Sequence, residues 1–130
     1  MADREHEDAR AELAMARDAL ADARVLVDGD GTAAGAVNRL YYAAFHAAQA
    51  ALYEVGENPT SHGHVQQLFG QRLVLEGEAT REQGRLLGDL YDYRREADYG
   101  GGEPSVDVEA LLEKVVTFVD RMDTFVGDVN

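Results

Sequence analysis

The chain contains no cysteine and no tryptophan, and among its twelve basic residues only Lys114 is a lysine. The missing cysteines exclude disulfides and thiolate metal sites. No apolar run approaches the roughly 18 residues of a membrane-spanning helix. The opening "MADREHEDAR" is polar and has no apolar targeting core, so a soluble cytoplasmic chain with no membrane contact is expected. "DGDGTAAG" lacks the lysine of a phosphate loop and no strand precedes it. No nucleophile elbow and no paired-carboxylate signature of glycoside chemistry stands out. No cofactor is implied.

What is abundant is acid. Twenty-five Asp and Glu face twelve bases, a net charge of −13 over 130 residues. The acids are spread along the chain, which argues against a disordered tail. A folded domain this acidic repels itself in dilute buffer. The repulsion fades in concentrated salt, where the Debye length falls to about 3 Å at 1 M. Acid excess with lysine poverty is read as adaptation to a salt-rich cytoplasm, and the composition resembles that of proteins from halophilic archaea. In such a cell the net charge does not exclude RNA, because a local arginine cluster can still hold a phosphate.

The length fits one domain, 1–130 with its core at about 8–126, and periodicity predicts an all-α, up-and-down bundle of five helices. Leu13, Ala16, Leu20, Ala23 and Val27 form a stripe on a first helix from about Glu5 to Val27, ended by "DGDG". A second covers about Thr32 to Val55, where Gly56 and Pro59 break it. A third starts at Ser61 as N-cap and carries Val65, Leu68, Phe69 and Leu73. The fourth starts at Thr80, with Gln83 completing a capping box, and runs to Tyr99 before "GGG". The fifth begins near Ser105 or Asp107 and is the cleanest amphipathic segment, from Val108 to Val126. Consecutive helices are expected to be mainly antiparallel neighbours, with the first few and the last four residues frayed.

The second helix carries an anomaly. Arg39, Tyr42, His46, Gln49 and Tyr53 fall within about 80° of one another, while the rest of its circumference is apolar. A buried guanidinium without a partner costs several kcal/mol. Arg39 therefore needs a carboxylate, a ligand or water. It stands about 10 Å along the axis from His46, so both side chains can lean toward one phosphate between them. The structural alternative is a buried polar network with no ligand. Asn38 beside Arg39 joins the candidate binding set.

A second cluster closes the fourth helix, "YDYRREADYGGG". Tyr91, Arg94, Arg95 and Asp98 share one face, and Arg94 can pair with Asp98 four residues on. Asp98 opposes the helix dipole near a C-terminus, which points to a tertiary partner, with Arg39 the obvious candidate. Of the other histidines, His62 or His64 can cap the third helix or reach the stripe, and His6 is expected to be solvated. Their spacing carries no metal signature.

"NRLYYAAFHAAQAAL" at 38–52, "SHGHVQQLF" at 61–69 and "YRREADY" at 93–99 resemble the HEPN domain, in its R-x-Y-Y-A-x-F-H and R-x-x-A-D-Y branch. The resemblance implies a helical bundle that dimerises through the helices bearing the polar motif. It also implies a small nucleotidyltransferase as partner in a toxin–antitoxin-like pair. Many such domains are metal-independent RNases with an arginine and a histidine four to six residues apart on the late helix. Here that helix has Arg94 and Arg95 but no histidine, and Asp98 and Tyr99 stand in its place. Three functions follow. The first is a binding and regulatory module contacting nucleotide, RNA or the partner through Asn38, Arg39, Tyr42, His46, His62, Tyr91, Arg94, Asp98 and Tyr99. The second is a dimeric endoribonuclease with Arg39 as phosphate clamp and His46 as acid–base. The third is a structural dimer with a buried polar network.

Overall fold

The computed structural model describes residues 2–99 and 105–127. Five α-helices and no strand occur among them. Helix α1 spans Ala2–Asp28, α2 Ala33–Glu54, α3 His62–Phe69, α4 Arg81–Tyr99 and α5 Val108–Val126. The expected stop at the glycines 100–102 and the fraying at 128–130 lie outside the described residues.

Local chemistry sets most boundaries. Thr32 Oγ1 accepts the Gly35 N–H at 3.0 Å and starts α2. Ser61 Oγ accepts the His64 N–H at 3.2 Å and starts α3. Thr80 and Gln83 cap α4 reciprocally, both bonds 3.0 Å. Asp107 accepts from the N–H groups of Glu109 and Ala110 to start α5. Gly31 is required by close approach: a Cβ there would lie 2.4 Å from a Leu26 methyl. Gly56 has φ +85°, a conformation that favours glycine.

Two details differ from the periodicity reading. Helix α1 is already formed at Ala2, upstream of Glu5. The third helix widens after Phe69 into one π turn, Gly70–Val74, which keeps Leu73 fully buried. Propensity carries no signal for such a turn.

Cross-helix pairs give the directions. His6 meets Glu54 at 3.0 Å, Glu12 meets His46 at 3.4 Å and Asp22 meets Arg39 at 4.0 Å. Numbers rise along α1 as they fall along α2, so the two run antiparallel. Arg10 meets Asp123 and Arg17 meets Asp120, which makes α1 antiparallel to α5 as well. Helices α2 and α5 therefore run the same way. Helix α2 is central, packing on α1, α4 and α5, and its alanines 43, 44, 47, 48, 50 and 51 are fully buried. Small side chains let neighbouring backbones approach from several sides at once. Across the bundle, Phe69 stacks on Phe118 at 5.4 Å, both inaccessible. Burying each ring stabilises the fold by roughly 1.5–3 kcal/mol. Helix α5 buries Leu111, Leu112, Val115, Phe118, Val119, Met122 and Val126, the face its periodicity predicts.

Helices α4 and α5 depart from the simple antiparallel-neighbour expectation. Each packs chiefly on α2. A groove of about 390 Å³ opens between them, lined by Thr80, Gln83, Leu86, Lys114 and Thr117 among others.

Candidate functional site

Arg39, Tyr42 and His46 lie at i, i+3 and i+7 on α2 and project to one side. Antiparallel packing sets Met15, Asp18, Ala19 and Asp22 of α1 opposite them. The two rows enclose an open cleft of about 370 Å³. Arg39 is held loosely. Its Nε and Nη2 donate to Asn38 Oδ1 at 3.4 and 3.2 Å, and Asp22, a well-exposed carboxylate, stands 4.0 Å away. An exposed pair at that distance contributes about 0–1 kcal/mol, so a stronger anion can compete for the guanidinium. His46 Nδ1 lies 3.4 Å from Glu12 Oε1.

Tyr42 links this cleft to α4. The guanidinium of Arg39 lies 5.2 Å from the Tyr42 ring centre, and that of Arg94 lies 5.4 Å from the same ring. Arg94 also covers Tyr41 at 5.1 Å. Each such contact is worth roughly 0.5–2 kcal/mol, more where water is excluded. Arg94 Nε is buried and makes no hydrogen bond among the described residues; Asp98 Oδ2 stands 3.6 Å away. Two arginines from different helices thus share one phenol, and neither is tightly neutralised.

Behind Tyr42 sits an aromatic nest. The hydroxyl of buried Tyr41 hydrogen-bonds to His62 Nδ1, and Phe45 and Tyr91 lie 4.7 and 5.7 Å from the His62 ring. Burial pushes the Tyr41 phenol up to about 12, with Arg94 pulling it the other way. The hydroxyl therefore stays protonated and donates, which makes His62 Nδ1 the acceptor. Burial, and then the positive charge of Arg94, hold the His62 pKa below its ordinary value. His62 is accordingly a neutral imidazole at neutral pH.

The structure brings Asn38, Arg39, Tyr42 and His46 together, and Arg94 reaches them through Tyr42. His62 and Tyr91 belong to the adjoining nest. Several expectations are corrected. The cleft of Arg39 and His46 is walled by α1 and α2, and the end of α4 reaches it through Arg94 on the Tyr42 ring. Asp98 pairs within its own helix, and the carboxylate nearest Arg39 is Asp22. The chain turns Tyr99 outward, 82% exposed. Gln49 leaves the polar stripe: it is buried, donating to the Pro59 carbonyl at 3.2 Å. His6 is half-buried against Glu54 rather than solvated.

Two residues escaped the pattern reading. Tyr41 looks like one more apolar position of α2, and its partners come from 21 and more residues away. Glu12 sits one place off the apolar stripe of α1, among many acids, and only the pairing register shows that it meets His46. No group of three His, Asp or Glu placed to hold a metal occurs among the described residues. No helix among them is long and apolar enough to cross a membrane.

Comparison with known proteins agrees with this architecture. The HEPN domain model matches residues 9–124. A Methanocaldococcus jannaschii protein named "Putative toxin MJ0605" is 33% identical over 117 residues, covering 89% of this chain and 87% of that one. A second from the same organism, "Putative toxin MJ0142", is 33% identical over 100 residues, covering 73% and 66%. A Thermotoga maritima "UPF0332 protein" is 28% identical over 116 residues, covering 88% and 87%. With five helices in place and the family match running through nearly all of them, this chain belongs to the HEPN domain family.

Proposed function

We propose that the chain is the HEPN component of a toxin–antitoxin-like pair with a small nucleotidyltransferase. In this reading it is a homodimeric binding and regulatory module that takes a phosphate-bearing ligand, nucleotide or RNA. The carrying observation is the shared ring: Arg39 and Arg94 at 5.2 and 5.4 Å from Tyr42, with Asp22 and Asp98 only at 4.0 and 3.6 Å. Guanidinium groups pre-set by stacking lose little side-chain freedom when a phosphate arrives. Relatives named as toxins support the pairing. Asn38, His46, His62, Tyr91 and Asp98 frame the two arginines, and exposed Tyr99 is available to the partner protein.

The composition supports a finer proposal, that the domain works in the salt-rich cytoplasm of a halophilic archaeon. Its charge of −13 disfavours nucleic acid at low ionic strength, and molar salt screens that repulsion.

A second reading, a metal-independent endoribonuclease, is favoured by one observation: His46 has a carboxylate, Glu12, on one ring nitrogen and shares its cleft with Arg39. An oriented imidazole beside a phosphate clamp is the arrangement general acid–base cleavage needs. Co-expression with a small nucleotidyltransferase taken from the adjoining reading frames, followed by incubation with RNA in EDTA and about 2 M KCl, separates the readings. Stable co-purification without cleavage supports the module. Cleavage lost in His46→Ala supports the nuclease. Neither partner nor cleavage, with no nucleotide bound, leaves a structural dimer and overturns the proposal.

A further inference from the structure

Glu12 is out of place energetically. Its side chain is only 12% exposed, and His46 is its one hydrogen-bond or ion-pair partner among the described residues. A carboxylate removed from water costs several kcal/mol unless something answers it. The neighbouring positions of α1, Ala9, Leu13 and Ala16, are core. An apolar residue at 12 would extend that core at no such cost.

The contact is specific to one atom. Glu12 Oε1 faces Nδ1 of His46 at 3.4 Å. Nε2, the other ring nitrogen, has no hydrogen-bond partner among the described residues, and His46 lines the cleft with Arg39 and Tyr42. An ionised carboxylate can only accept, so the contact is a hydrogen bond when Nδ1 carries the proton. In the neutral ring, Nε2 then holds a lone pair. A free neutral histidine prefers the opposite arrangement, with its proton on Nε2. Tyr42 stacks at 6.2 Å and Phe45 lies edge-on at 5.8 Å, so the ring is flanked on two sides.

We propose that Glu12 is the positioning residue of His46: it accepts a hydrogen bond from Nδ1–H and so fixes the ring tautomer that leaves Nε2 with its lone pair. That lone pair can take a proton from a ligand hydroxyl or, once protonated, donate to a phosphate oxygen. This last use rests on the function proposed above; the tautomer itself does not.

The test is the two-bond ¹H–¹⁵N correlation spectrum of the histidine rings at alkaline pH, where imidazoles are neutral, with His46 assigned by the loss of its signals in His46→Gln. In the native protein the His46 pattern is expected to show the proton on Nδ1. In Glu12→Met, which keeps the volume and removes the acceptor, the majority pattern is expected to revert to the proton on Nε2. A native His46 carrying its proton on Nε2, or a folded Glu12→Met with an unchanged pattern, overturns the proposal. If Glu12→Met does not fold, the native spectrum alone decides. None of these outcomes depends on ligand binding, so failure to bind nucleotide or RNA would sink the functional reading and leave Glu12 to be judged separately.

Discussion

Arg39 and Arg94 lie 55 positions apart in the chain and meet on opposite helices at one side chain, the ring of Tyr42. The first arginine faces the α1–α2 cleft, and the second arrives from the end of α4. The ring is the joint between two clusters that look separate in the sequence.

Removing that joint has a measurable cost. Tyr42→Leu is expected to lower unfolding stability by about 1–3 kcal/mol, through two lost cation–π contacts and some packing. Tyr42→Phe keeps the ring and is expected to stay within about 0.5 kcal/mol of the native protein. Urea unfolding of the two variants checks this; equal losses would place the stabilisation in the hydroxyl instead.

His62 makes stability pH-dependent. Its folded pKa lies below the ordinary value, from burial and from Arg94. Near pH 8 both states are neutral there and no penalty arises. As pH falls through the ordinary histidine range, the unfolded chain takes up a proton that the folded chain resists, so stability drops until the lower folded pKa is passed. His62→Gln is expected to flatten this slope as pH falls below about 7, through the ordinary histidine range. An identical slope in the variant would assign the effect to another group.

Asp123 gives a contribution at lower pH. Burial alone would raise its pKa, but hydrogen bonds from Arg10 and Arg17 outweigh it and hold the value below the usual carboxylate range. That stability is present above the unfolded carboxylate pKa and is lost as pH falls through the depressed folded value. Asp123→Asn is expected to cost about 1–3 kcal/mol at pH 7, with the difference shrinking under acid. A constant difference down to acid unfolding would contradict the assignment.

Salt is the remaining control of stability. With a charge of −13, the unfolding midpoint is expected to rise steadily as KCl is increased into the molar range. A thermal scan series shows it. A midpoint that peaks in dilute buffer and falls thereafter would remove the reading of salt adaptation.

The bundle was legible because apolar spacing and capping residues are local signals: Thr80 with Gln83, Ser61 and Asp107 each mark a helix start that the structure keeps. The polar stripe was visible as an anomaly, but its neighbours were not. Asp98 looked like Arg39's partner because both are misfits locally, while the carboxylate near Arg39 is Asp22, chosen by the pairing register of α1 with α2. Glu12 and Tyr41 were hidden for the same reason. An acid among many acids and an aromatic among apolar residues acquire meaning only when another helix arrives. The π turn at Gly70–Val74 leaves no mark in the apolar spacing, although Leu73, which that spacing assigns to the third helix, is buried within it.

The central claim is that Arg39 and Arg94 act together on one phosphate-bearing ligand. The most direct measurement is calorimetric titration of the native protein, Arg39→Ala, Arg94→Ala and the double variant with a nucleoside triphosphate and with a short single-stranded RNA, at constant high KCl. Binding by the native protein to one of these probes is expected, weakened about tenfold or more by each single change, about 1.4 kcal/mol each, with the double variant losing less than the sum because the two groups share Tyr42. Native affinity unchanged in both folded single variants, or no binding of either probe by the native protein, would contradict it.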